Sequence, residues 1–318
     1  MKKLLTTAFL LLGSLAALAT EFKGGQHRVT FTSEGEKMAG VLYLPAGYQP
    51  GQQLPVIIAI GPFTQVKEQV AAVYAQKMAE AGFAAFAFDF RFWGESGGEP
   101  RSFESPADKL KDIRNAVSYL ATLPQLDANR IGIIGACFGA GYAAAAAEAD
   151  ARIKSWATVA AWINDEPVLE SVFGAETLAY RDSLSRAAGR EYAQTGKMTY
   201  APAYQPGNRK AAMFADIDYY GNPRRGAIPA WKNQYALVSH KAWHEFSPLP
   251  VASRIHTPAL FVHSDDSALP ETLRKLYAAV KGPKALYWSK GEHTQFYDQP
   301  AQVNDAARAM VKHFGSTL

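Results

Sequence analysis

Six apolar runs, each bounded by turn residues and separated by helix-like stretches, constrain the fold more than any other feature of this chain. They are LPVIIAIG (54–61), FAAFAFDF (83–90), RIGIIG (130–135), IKSWATVAAW (153–162), TPALFVHSDD (257–266) and KALYWS (284–289). A strand that is apolar on both faces is buried on both faces, and that happens in a parallel sheet covered by helices. The intervening segments supply those helices. Helical spacing runs over 66–81 and stops at Gly82, then over 108–123, 139–149 and 271–280, with a last helix reaching Phe314. Strands alternating with helices predict an α/β fold with right-handed crossovers. Two further strands, HRVTFTS and KMAGVLYLP, flank the turn Glu34-Gly35-Glu36 and read as a hairpin ahead of it.

The rhythm breaks between residues 163 and 253. That stretch has Gly/Pro/Asn loops such as YQPGNRK and GNPRRG, and it carries Phe173, Tyr180, Tyr204, Phe214, Trp231 and Trp243 among many aromatics. An irregular insert in a regular α/β chain reads as a helical cap over the carboxyl edge of the sheet, where ligands bind in such folds. The expected organisation is a core of residues 20–162 and 254–318 with a cap of 163–253.

Ahead of the core, Lys2 and Lys3 precede an apolar run from Leu4 to Leu18 that closes on Ala17-Leu18-Ala19. This is the pattern of a secretory leader, residues 1–19, cut after Ala19. The expectation is a mature protein in a bacterial periplasm or outside the cell, with no stable membrane association. Apolar residues make up 48% of the chain, enough for a large core, and the formal charge is only +4. No basic run alternates with exposed aromatics, so nucleic acid is not an expected partner and a small molecule is.

The chemistry points to one turn. Gly135-Ala136-Cys137-Phe138-Gly139 lies between a strand and a small-residue helix, and Cys137 is the only cysteine in the chain. A Gly-x-nucleophile-x-Gly turn in that context lifts its middle residue above the sheet. The neighbouring helix N-terminus would favour thiolate. A cysteine nucleophile needs a base and a group that orients the base. Of the histidines that follow, only His293 lies in a loop just after a strand near the C-terminus. His240 and His244 sit four residues apart without a third ligand, so no metal site is expected, and His256, His263 and His313 read as structural. The acid is expected at the end of the preceding strand, where Asp265 and Asp266 are equal candidates. Two oxyanion donors are expected from the amides of Phe138 and, because Pro62 has no N–H, of Phe63, with the Thr64 hydroxyl as an alternative.

The segments VIIAIGPFT, FAFDFRFWGESGG, IGIIGACFGAGYA, ALFVHSDDSALP and GEHTQFYD together resemble the α/β-hydrolase superfamily over nearly the whole mature length. DFRFWGES is similar to the Asp-x-Arg-Gly-x-Gly-x-Ser turn of those enzymes, with Phe92 and Trp93 as a variant. Cysteine in place of serine resembles the dienelactone hydrolase branch. Together with the leader, which implies secretion, the resemblance implies a cofactor-free hydrolase of a carboxylic ester, lactone or thioester, working through Cys137, His293 and one of the two aspartates. Gly61-Pro62-Phe63-Thr64 stands where dienelactone hydrolases carry a Gln-Glu-Ile-Phe-Gly-like segment, and those enzymes lack a cap, so dienelactone itself is not the expected substrate. The rival reading is a hydrolase-fold binding or redox-sensing protein. Acyl transfer is a third option; dehalogenation would place Asp at the elbow.

Overall fold

The structure is a computed structural model and describes residues 22–318. The expected leader, 1–19, lies outside the described residues. An eight-stranded sheet runs through the centre. Its strands are β1 (Gly25–Ser33), β2 (Glu36–Leu44), β3 (Leu54–Ile60), β4 (Ala84–Phe88), β5 (Leu126–Ala136), β6 (Ile153–Val159) and, after an insertion holding β7 (Tyr200–Ala201) and β8 (Tyr235–Ala236), β9 (Ala259–His263) and β10 (Lys284–Trp288). The order across the sheet is β1-β2-β4-β3-β5-β6-β9-β10. Pairing is parallel from β4 to β10, and antiparallel at β1–β2 and β2–β4. The hairpin turn is fixed by Glu34 and Gly35, both at positive φ (50° and 89°), between the paired Ser33 and Glu36. Two such residues give the turn twist that suits right-twisted strands.

Helices cover both faces, as the buried strands require: α1 (Val70–Glu80), α2 (Pro106–Leu120), α3 (Gly139–Ala149), α8 (Pro270–Ala279) and α10 (Pro300–Thr317). Helix α2 starts two residues earlier than its apolar spacing suggests, because Ser105 caps it by accepting from the Asp108 amide. Every residue of α3 from Gly139 to Ala147 is buried, so its alanines let it lie close against β5 and β6. Between β6 and β9 the chain forms α4 (Glu166–Phe173), α5 (Ala175–Thr195), α6 (Asp218–Gly221) and α7 (Ser239–Glu245), with the two-stranded β7–β8 ribbon. A short α9 (Gln295–Asp298) precedes α10.

The turn after β4 organises the carboxyl edge. The buried Asp89 carboxylate accepts from the amides of Lys67 (2.8 Å) and Glu95 (2.9 Å) and from Lys67 Nζ (2.8 Å). Gly94 sits at φ 51°, and a Cβ there would lie 2.2 Å from Asp89 Oδ2. Arg91 donates to Asp112 of α2 at 2.7 Å. These residues of DFRFWGES therefore build a turn and tie it to the loop before α1. Among the described residues no helix is long and apolar enough to cross a membrane.

Candidate active site

Strand β5 lies between β3 and β6, and its last residue, Ala136, leads directly into the elbow. Cys137 has φ 52°, a left-handed conformation that costs a non-glycine residue energy and is held only by surrounding constraints. The constraints are visible. The Cys137 amide donates to Val159 O (3.1 Å), while its carbonyl accepts from the amides of Ala140 and Trp162 (both 3.0 Å). The flanking glycines are dictated by contact: a Cβ on Gly135 would fall 2.3 Å from Gly139 O, and one on Gly139 would fall 2.5 Å from Gly61 O.

The elbow brings three hydrogen-bonding groups to the thiol. The backbone amides of Phe138 and Phe63 and the Tyr297 hydroxyl lie close enough to the Cys137 sulfur to favour its charged form. Phe63 and Phe138 thus converge on one point, from the loop after β3 and from the start of α3. Their rings meet edge-on at 5.9 Å, and Trp243 of α7 packs against both, at 5.0 and 5.5 Å. Thr64, by contrast, does not line the cavity that Cys137 and His293 share; its hydroxyl is buried without a partner among the described residues, and its carbonyl accepts from Trp231 of the insertion at 2.9 Å.

The expected thiolate is not the resting form. Burial raises the thiol to about 11, and it outweighs the opposing pull of Tyr297, Phe138 and Phe63. A dry site penalises the charged form more than a helix terminus and three donors repay. The sequence pattern carries the helix N-terminus but not the depth of burial.

His293 reaches the same cavity as Cys137. Its Nε2 is buried and has no partner among the described residues. Burial, with a smaller effect from His263, pulls its pKa down to about 3, so the ring is neutral at pH 7. Its Nδ1 does not meet a carboxylate. It lies 2.9 Å from Ser267 Oγ and accepts from the Ala268 amide at 3.3 Å. Asp265 points into solvent and pairs with Arg274 at 3.3 Å, and Asp266 is exposed on an open groove beside Ser267. The expectation of an aspartate against His293 is therefore corrected by one or two residues: the loop carries both carboxylates outward and turns the next side chain, Ser267, inward.

The remaining histidines stand apart from the thiol. His240 contacts Lys210 O (3.2 Å), His244 contacts Asp182 (2.9 Å), and His313 contacts Ser155 and the Trp156 carbonyl (2.9 and 3.1 Å). His256 is exposed, and His263 is fully buried at the end of β9 near Trp288. Sequence reasoning passed over the tyrosines. Tyr297 lies on α9, and its ring packs edge-on against His293 at 5.4 Å. Tyr220 of the insertion bonds to Tyr297 and takes a hydrogen bond from Gln65 Nε2 at 3.3 Å, so Gln65, Tyr220, Tyr297 and Cys137 form a chain of contacts.

Above these groups is a cavity of about 310 Å³. Cys137, His293, Thr294, Tyr220 and Tyr297 are its polar lining residues, and Trp162, Phe173, Met213, Phe214, Ile217 and Trp243 are the larger of its apolar ones. Its aromatic walls come from the insertion and from the loop after β6. No Asp, Glu, Lys or Arg lines it.

Relatives agree with this architecture. The crystal structure of PA2218, an uncharacterized protein of Pseudomonas aeruginosa, superposes with a TM-score of 0.80 and covers 100% of both chains at 28% identity. In sequence alignment the same protein is 34% identical over 291 residues, 86% of this chain and 76% of the relative. The α/β-hydrolase GrgF of a Penicillium species superposes with a TM-score of 0.79 at 21% identity, covering 92% of this chain and 98% of that one. A protein of Eupenicillium brefeldianum named thiohydrolase is 24% identical over 241 residues, 75% of this chain and 78% of the relative. The sequence model of the X-Pro dipeptidyl-peptidase (S15) family matches residues 34–295. The chain has the α/β-hydrolase fold and belongs to the X-Pro dipeptidyl-peptidase (S15) family.

Proposed function

We propose that this protein is an exported hydrolase that cleaves a carboxylic ester or thioester through an acyl-cysteine at Cys137. The observation that carries the reading is the convergence of the Phe63 and Phe138 amides on the Cys137 sulfur inside a cavity that His293 shares. Two backbone donors aimed at one reacting centre are what an acyl-transfer transition state requires. In the first half-reaction the ring of His293 takes the tautomer whose Nδ1–H donates to Ser267 Oγ, giving up the 3.3 Å contact from the Ala268 amide, and as Sγ attacks the carbonyl carbon its proton passes to the freed Nε2. The oxyanion takes the two amides. The bond to the leaving alkoxide or thiolate breaks, and His293 returns the proton to it. In the second half, His293 takes a proton from water as it attacks the acyl carbon; the C–S bond breaks and the thiol is restored. A thioester is the favoured donor, since its leaving group matches the nucleophile and needs little acid assistance. The relative named thiohydrolase supports that preference.

Peptide cleavage from a free N-terminus, which the family name would suggest, is disfavoured here. No carboxylate lines the cavity to hold an ammonium group, and an unpaired buried charge is costly. Redox sensing is disfavoured for another reason. Sensor thiols are exposed and acidic, whereas Cys137 is buried and its thiol sits at about 11. The dienelactone-hydrolase-like reading contributes the cysteine nucleophile but not the substrate.

Incubation with an acyl thioester followed by intact-mass and peptide mapping is expected to place one acyl group on Cys137. An adduct elsewhere, or turnover without one after rapid acid quench, would remove the mechanism.

Ser267 is expected to matter where the aspartates do not. Ser267→Ala takes away a buried hydrogen-bond partner of His293, which at about 1–3 kcal/mol corresponds to roughly 5- to 150-fold in kcat/KM. Asp265→Ala and Asp266→Ala leave kcat/KM close to the parent value. Ser267→Asp brings a carboxylate to Nδ1, raises the proton affinity of His293, and speeds alkylation of Cys137 by iodoacetamide at pH 7. Equal alkylation rates in parent and Ser267→Asp would show that the hydroxyl does not set the state of His293.

A further inference from the structure

The cavity above Cys137 also indicates what kind of acyl group it holds, an inference that rests on the acyl-cysteine reading above. Its lining is mostly apolar, with Trp162, Phe173, Met213, Phe214, Ile217 and Trp243 among the residues that share it with Cys137. Sixteen residues line it, none of them Asp, Glu, Lys or Arg, and the one histidine is held neutral by burial. At about 30 Å³ for a water-sized group, a volume near 310 Å³ takes roughly ten heavy atoms. We infer that the substrate presents an uncharged, apolar acyl chain of medium length, carbonyl at Cys137 and tail among the aromatic side chains of the insertion.

One nearby charge tests that conclusion. Arg181 of α5 is fully buried, with its guanidinium 5.1 Å from the Phe173 ring and 4.9 Å from the Phe214 ring. It donates to the carbonyls of Arg209, Ala211 and Ala212, the last two at 2.6 and 3.3 Å. It does not line the cavity. Those bonds hold the loop that contributes Ala212, Met213 and Phe214 to the wall, and the two phenyl rings stand beside the charge. Arg181 accordingly shapes the wall: its Nη1 has no hydrogen-bond partner among the described residues, but the residue does not line the cavity where a substrate carboxylate would sit. Burying an unpaired carboxylate against apolar walls is unfavourable, whereas each added methylene gains from leaving water.

The size of the pocket can be read without turnover. Trp162 and Trp243 line it, so quenching of intrinsic fluorescence by methyl ketones of increasing length reports binding of an unreactive, neutral acyl mimic. Affinity is expected to rise at least a hundredfold from 2-butanone to 2-decanone and to stop rising beyond it. A decanone carrying a terminal carboxylate is expected to bind at least a hundredfold more weakly than 2-decanone. In parallel, p-nitrophenyl acetate, octanoate and palmitate are compared by kcat/KM, with the octanoate fastest. Ala212→Phe fills the wall and is expected to lower the octanoate-to-acetate ratio at least tenfold; Met213→Trp, at a less buried position, serves the same purpose if the first variant melts early. Length-independent ketone binding, tighter binding of the carboxylate, or a preference for palmitate would each overturn the inference. The catalytic reading stands or falls separately, on whether acetyl and octanoyl groups are found on Cys137.

Discussion

A Cys137→Ala protein is expected to keep the fold of the parent and to lose kcat/KM toward acyl thioesters by about a thousandfold or more, the scale of removing a covalent nucleophile. The two halves of that expectation have different origins. Structurally the change is small, because the thiol makes no ion pair and the elbow is held by backbone bonds from Val159, Ala140 and Trp162. Chemically it removes the atom that three donors face. Cys137→Ser is expected to fare little better. A thiol with a pKa of about 11 is already a demanding proton donor for the neutral His293, and a serine hydroxyl is far less acidic still. A serine nucleophile commonly relies on a carboxylate behind its histidine, and here that place belongs to Ser267. Rates and acyl-adduct masses for both variants, beside a thermal melt, give the check. Parent-like turnover in Cys137→Ala would move the chemistry to another residue.

Much of this arrangement can be read in the sequence, and the parts that cannot share a cause. The apolar runs give the sheet because burial on both faces leaves no room for alternation. The elbow is legible because close backbone contacts exclude everything but glycine at Gly135 and Gly139, and a steric demand leaves a fixed spacing. His293 follows from its place after the last strand. Ser267 leaves no such mark. One hydroxyl beside two carboxylates gives no hint that the loop will face the carboxylates outward. Tyr220 and Gln65 come from segments 155 positions apart, and only tertiary packing joins them to Tyr297. The protonation of Cys137 is equally illegible, since desolvation sums over walls contributed by the insertion and the core together. Strand β5 shows the same limit at the level of elements. It starts at Leu126, earlier than its apolar run, because Leu54 pairs with Leu126 across an irregularity before the main register resumes.

Gly135→Ala is expected to cause the largest loss of stability among single methyl additions at this edge, about 3 kcal/mol or more for an overpacked site with no free direction. The new Cβ would lie 2.3 Å from Gly139 O and 2.6 Å from Ala140 Cα, both backbone atoms. The strand cannot retreat, because Gly135 is paired with Ile60 on one side and Thr158 on the other. The helix cannot easily retreat either, since Gly139 already sits close to Gly61 O and the alanine face of α3 is buried along its length. Whatever movement does occur displaces Phe138 relative to Phe63, so the two amides cease to converge and acylation of Cys137 falls with stability. Gly315→Ala is the internal control: it lies exposed in α10, where an added Cβ meets nothing within 4 Å, and alanine favours the helix by up to about 1 kcal/mol. The expected result is a melting temperature lowered by roughly 5 °C or more for Gly135→Ala and unchanged or slightly raised for Gly315→Ala. The acyl-adduct rate should drop only in the former. Equal melting temperatures for the two would mean that α3 can slide on the sheet, and the elbow would then be too loose to hold an oxyanion hole.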